Sequence, residues 1–141
     1  MLKFQEKRVA PPALVQHSQA QIHELINHVR GVHFVMVCST DGFELASIHK
    51  RSNYNNSKLA AVSSSILAMV SAFIKEIQLV GCQSITLDAE NGKAILTSVP
   101  AAKHPMIIVA LSDKDVLLGQ LLHALKVASN SIADADHKLA S

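Results

Sequence analysis

Sixteen consecutive residues, Leu59 to Ile74, carry no charge and lie between Lys58 and Lys75. The run holds four serines and falls short of the roughly 20 apolar residues that cross a bilayer, so no membrane span is expected. It reads as a helix beginning near Ser57, which can cap it, and running to about Val80 ahead of Gly81. On a helical wheel, Leu59, Val62, Ile66, Met69, Val70, Phe73, Ile77 and Val80 form one broad face, which is assigned to a sheet. Ala60, Ala61, Ser64, Ala68, Ser71 and Ala72 fall on the far side, flanked by Leu67 and Ile74. A surface helix carries charge there, and this one has none, so both of its sides are expected to be covered. In a chain of 141 residues the other helices are needed elsewhere, which leaves the small-residue side to a second copy in a two-fold homodimer. Small side chains let two helices approach closely. At about 25 cal/mol per Å² of apolar surface, leaving that side wet forfeits several kcal/mol.

The rest of the chain reads as one domain around this helix. Residues 1–12 form a flexible tail ending in Pro11-Pro12, residues 13–134 the domain, and residues 135–141 a fraying end. A first helix spans about 13–29, with Ile22, Leu25, Ile26 and Val29 at helical spacing and Gly31 at its end. Two hairpins follow the pattern of strand, turn and strand. The first spans 32–38 and 43–49 around Thr40-Asp41-Gly42; the second spans 82–89 and 93–99 around Glu90-Asn91-Gly92. A polar loop, 50–56, precedes the long helix. The run MIIVAL within 105–112 suits a central buried strand, and a last helix covers about 115–133. The order is α-β-β-α-β-β-β-α, an α/β chain of α+β type. It implies a five-stranded antiparallel sheet with the long helix on one face and two helices on the other.

Few chemistries fit. The net charge is only +2 and the basic residues are scattered, so nucleic acid is not expected as a partner. Cys38 and Cys82 sit in separate strand-like runs and not in a CxxC pair, which points to free thiols in a reducing cytoplasm. The N-terminal residues lack the apolar core of a signal peptide. His17, His23 and His28 are spaced by six and five, which does not align two imidazoles on a helix, and no HExxH occurs, so no metal site is expected. Ser63-Ser64-Ser65 lies within a helix without a GxSxG elbow, and Cys38 reads as a packed core residue. No glycine-rich phosphate loop is present, so no nucleotide or other cofactor is expected. Asp113, Lys114 and Asp115 read as an N-cap and first turn for the last helix. The chain is not expected to be an enzyme.

In order, Gly31-Val32, Asp41-Gly42-Phe43-Glu44-Leu45-Ala46-Ser47, Lys58-Leu59-Ala60-Ala61, Ile85-Thr86-Leu87-Asp88 with Asn91-Gly92-Lys93, and Met106 to Leu111 followed by Leu117-Leu118-Gly119-Gln120-Leu121 resemble the roadblock family. That family is named for a dynein light chain and includes bacterial MglB-type proteins, and the short single domain fits a bacterial setting. The resemblance implies dimers joined through the middle helix and the third strand. By position the contact would include Ala60, Ser64, Leu67, Ala68, Ser71 and Ile74, with Cys82, Ser84 and Thr86 on the paired edge. It also implies a non-catalytic module that regulates or scaffolds a small Ras-like GTPase. Two alternatives stand beside it: a ligand-sensing module of profilin-like or PAS-like kind, and a light-chain-type adaptor bridging other proteins. Sensing requires a pocket of several hundred Å³, which the apolar strands, without a convergent polar set, argue against.

Overall fold

A computed structural model describes residues 10–50 and 54–139 of the chain. The tail expected over residues 1–12 lies mostly outside them, as do positions 51–53 of the polar loop. The elements are α1 (Pro12–His28), β1 (Val32–Ser39), β2 (Glu44–His49), α2 (Asn56–Glu76), β3 (Ser84–Ala89), β4 (Gly92–Val99), β5 (Met106–Ser112) and α3 (Leu118–Leu139). The five strands form one antiparallel sheet in the order β2-β1-β5-β4-β3. β1 and β5 are central and almost wholly buried, and β2 and β3 are the edges.

The alternation of side chains along the strands divides the core in two. Val35, Val37, Ile95, Met106, Ile108 and Ala110 face α1 and α3, whose Ile22, Leu25, Ile26, Leu121, Leu125 and Ile132 complete that layer. Phe34, Met36, Cys38, Leu96, Ile107 and Val109 face the opposite way, toward Ala60 of α2.

Helix boundaries depart from the sequence reading for local reasons. Pro12 already occupies the first turn of α1, where a missing N–H is harmless, and Ala10 ahead of it is buried rather than loose. α2 is capped by Asn55, not Ser57: the Asn55 Oδ1 accepts from Lys58 N–H at 3.1 Å. It ends at Glu76 instead of Val80, because Gln78 turns into the left-handed region at φ 64°. The Leu79 N–H then closes on the Ile74 carbonyl at 2.8 Å. Ile77, Leu79 and Val80, interrupted only by Gln78, imitate more helix. α3 starts at Leu118, so Asp113 and Asp115 are neither its cap nor its first turn. The Asp113 carbonyl instead accepts from Val116, in a turn of its own. At its other end α3 continues as helix beyond residue 133 to Leu139, across residues expected to fray.

Candidate functional site

The charge-free helix remains the informative element, but it presents a different side. In α2, Ala60 and Ser63 are the buried residues, and Leu67, Val70 and Ile74 are half-buried along the same line. Val62 (45% exposed), Met69 (66%), Phe73 (63%) and Ile77 (50%), expected on the sheet, point into solvent. The helix is turned by roughly a quarter of a revolution from the wheel's assignment. The cause lies in the sheet. β1 and β5 already fill the interlayer space with Phe34, Met36, Ile107 and Val109, so the helix comes closest through Ala60 and Ser63, with Leu67 packed behind them.

The first hairpin fixes this rotation. Gly42, at φ 94°, lies so close that a Cβ there would meet Ala61 Cα at 3.2 Å. The Ser64 hydroxyl donates to the Thr40 carbonyl of the same turn. Ala61 and Ser64 thus serve contact with the chain's own hairpin, whereas Ala68, Ser71 and Ala72 stay exposed.

α2 packs mainly over β1, β2 and β5. On the same side of the sheet, β3 and β4 present Ile85, Leu87, Ala94 and Leu96, of which Leu87 is exposed and Leu96 buried. Ile66 of α2 and Ile85 of β3 pack against the same buried cluster and join helix to strand. Val62, Met69, Phe73 and Ile77 of α2 and Leu87 of β3 are thus exposed apolar side chains on the same side of the sheet, whose open edge there is β3. An exposed apolar surface of this kind marks an interaction site.

The residues predicted for the dimer contact are divided by this geometry. Ala60 is sealed against the sheet and Leu67 faces the same cluster, so neither presents the outer surface. Ser64 is held by the hairpin, and Ile74 is half-buried. Ala68 and Ser71 are exposed on the helix flank. Ser84 and Thr86 are exposed on β3, but they alternate with Ile85 and Leu87 and face the α3 side; half-buried Cys82 precedes the strand. The sequence reading missed Val62, Met69, Phe73, Ile77 and Leu87 as surface residues. Freedom from charge marked both sides as apolar without saying which one rests on the sheet.

Reactive groups are occupied structurally. Burial, with the Glu44 carboxylate adding to it, pushes the Cys38 thiol up to about 12, which keeps it protonated and a poor nucleophile. The Ser65 hydroxyl donates back to the Ala61 carbonyl at 3.2 Å. His28 Nδ1 lies 2.7 Å from the Glu24 carbonyl, and His17 Nε2 lies 2.9 Å from Ser131 Oγ. Among the described residues no three His, Cys, Asp or Glu side chains converge on a metal position. With 21 residues and a mean hydropathy of 1.6, α2 is long and apolar enough to cross a membrane; here it lies along the sheet through Ala60, Ser63 and Leu67.

Comparison with known proteins agrees with this architecture. No curated protein matches the chain by sequence. Among solved structures, the gliding protein MglB from Thermus thermophilus superposes with a TM-score of 0.81 at 16% identity, covering 92% of this chain and 96% of that one. MglB from Myxococcus xanthus gives 0.81 at 16%, over 93% and 96%. A Roadblock/LC7 domain from Streptomyces avermitilis gives 0.72 at 13%, over 83% and 95%. These likenesses establish the fold. The model of the Roadblock/LC7 domain matches residues 19–111, most of the described domain, and the chain belongs to the Roadblock/LC7 family.

Proposed function

We propose that the chain forms a two-fold homodimer through the exposed apolar side of α2 and the β3 edge, and that the dimer is a non-catalytic platform that regulates or scaffolds a small Ras-like GTPase in a reducing cytoplasm. The observation that carries the dimer is the outward-facing set Val62, Met69, Phe73 and Ile77. Each of these residues is already covered in part, from about a third for Met69 and Phe73 to about half for Val62 and Ile77, so the burial that remains contributes about 1 kcal/mol apiece. Eight of them across a two-fold axis give about 8 kcal/mol, within the ~4–15 kcal/mol that association costs. The apolar strip alone is therefore marginal. Pairing of two β3 edges supplies further hydrogen bonds and closes strands that otherwise invite aggregation. Ala68, Ser71, Cys82, Ser84 and Thr86 then lie at the margin of the contact, and Ala60 and Leu67 support it from within.

Sedimentation of the wild type and of Phe73→Glu tests the assembly. A dimer that becomes a folded monomer in the variant supports it; a wild-type monomer at micromolar concentration refutes it. The GTPase reading rests on family membership and on the sequence resemblance. It is tested by affinity capture from the source cell in GDP and in a non-hydrolysable GTP analogue. Nucleotide-dependent recovery of a small GTPase supports it, and recovery of none in either state counts against it.

A further inference from the structure

A second concave site lies on the opposite side of the sheet, where α3 packs on β4 and leaves β3 uncovered. The result is a cleft of about 350 Å³ between the helix flank and the two strands. Ser84 and Thr97, cross-strand partners in the β3–β4 ladder, form its floor; Leu122, Lys126 and Asn130 form the helix wall, and Pro100 closes one end. This volume lies in the range of small-ligand sites. The apolar strands gave no sign of it because its polar groups come from three separate elements.

Two observations point to an occupant. Thr97 is more than nine-tenths buried, and its hydroxyl has no hydrogen-bond partner among the described residues. A buried hydroxyl without a partner is uncommon and unfavourable. Thr97 lines the cleft, and one χ1 step between staggered rotamers carries its hydroxyl to the position the methyl now holds. Its neighbour Ser129 differs: that hydroxyl donates to the Ser98 carbonyl at 3.2 Å and has its partner inside the fold. The second observation is charge. Lys126 is the one charged residue on the cleft wall, among the described residues, and no carboxylate lines the wall beside it. Leu122 and Pro100 provide apolar contact a few side chains away.

We infer that this cleft binds a small organic carboxylate with a short aliphatic body. The anionic head pairs with Lys126 and is oriented by the Asn130 amide. The body lies on Leu122 and Pro100, and Thr97 supplies a hydroxyl to the head. Because the cleft faces away from the apolar side of α2, the inference does not rest on the proposed dimer and survives its failure.

The probe is hexanoate, titrated into the full chain and followed through amide resonances in two-dimensional nitrogen–proton spectra. Saturable shifts at Thr97, Ser129 and Asn130 are expected, with none at Phe73. Hexylamine, of the same length and opposite charge, is expected to leave those resonances in place. Lys126 is exposed, so Lys126→Glu preserves the fold and is expected to weaken hexanoate at least about tenfold. Thr97→Val is expected to raise the melting temperature of the unliganded chain while weakening hexanoate, a split that a purely structural threonine does not give. Shifts that never saturate, equal binding of hexylamine, or unchanged affinity in Lys126→Glu each overturn the inference.

Discussion

His104 Nδ1 lies 2.6 Å from Oδ1 of Asp136, and the N–H of Lys103 donates to Oδ2 of the same carboxylate at 3.1 Å. Asp136 is only 1% exposed, so one buried carboxylate ties the β4–β5 connection to the last turns of α3. This explains why the helix outlasts the point at which its apolar periodicity fades. Asp136→Ala leaves the His104 ring and a backbone donor without their acceptor, and is expected to cost about 1–3 kcal/mol. Hydrogen exchange reads the effect locally: amides beyond residue 133 lose protection first, while β1 and β5 keep theirs. Unchanged protection there shows that the carboxylate does not hold the helix end.

Orientation of α2 gives a sharper contrast. Ala60 is fully buried against the cluster of Phe34, Met36 and Ile107, whereas Phe73 is mostly exposed. Ala60→Leu inserts volume into a filled interlayer and is expected to cost about 1–3 kcal/mol in denaturant unfolding, with m unchanged. Phe73→Ser, on the folded protomer, is expected to stay within about 0.5 kcal/mol of wild type once dissociation is separated from unfolding by varying protein concentration. Were the small-residue side outermost, the two results would exchange.

How much of this was legible follows from where the information lies. Strand periodicity and the turn pairs Asp41-Gly42 and Asn91-Gly92 are local signals, so both hairpins and the buried run Met106 to Leu111 read directly from the chain. The rotation of α2 is not local. It depends on how much space Phe34 and Val109 already occupy and on a hairpin resting against Ala61, neither of which a wheel contains. The carboxylate pair of Asp136 with His104 spans 32 residues and has no sequence signature. Likewise, the cleft at Thr97 needs α3 placed over β4 and not over β3 before its polar groups meet.

Cys38 offers a pH test. Its folded value of about 12 lies above the ordinary 9.0, so between those limits the native chain keeps a proton that the unfolded chain releases. Its contribution to stability is whole below pH 9.0 and is lost as the pH rises toward about 12. Cys38→Ala, which removes the titrating group, is expected to flatten that part of the stability curve. Under native conditions at neutral pH, iodoacetamide is expected to alkylate Cys82 and spare Cys38, as read by peptide mass after digestion. Equal labelling of both thiols means that β1 opens far more readily than its burial implies.

Contact between the first hairpin and α2 carries the last prediction. Gly42 combines a left-handed backbone, φ 94°, with a close approach to Ala61, so a methyl group there is opposed twice. Gly42→Ala is expected to destabilise the fold by about 1–3 kcal/mol, since the strained backbone and the helix contact must both yield. Gly119 is the internal control. It lies within α3 with open space where a Cβ would stand, so Gly119→Ala is expected to stabilise by about 0.4–1 kcal/mol through the unfolded chain. Because the hairpin sets the rotation of α2, Gly42→Ala is also expected to weaken self-association, while Gly119→Ala leaves it unchanged. Denaturant titration and sedimentation of the two variants read both effects. A Gly42→Ala protein as stable as wild type means that the turn does not press on the helix, and the rotation of α2 then needs another cause.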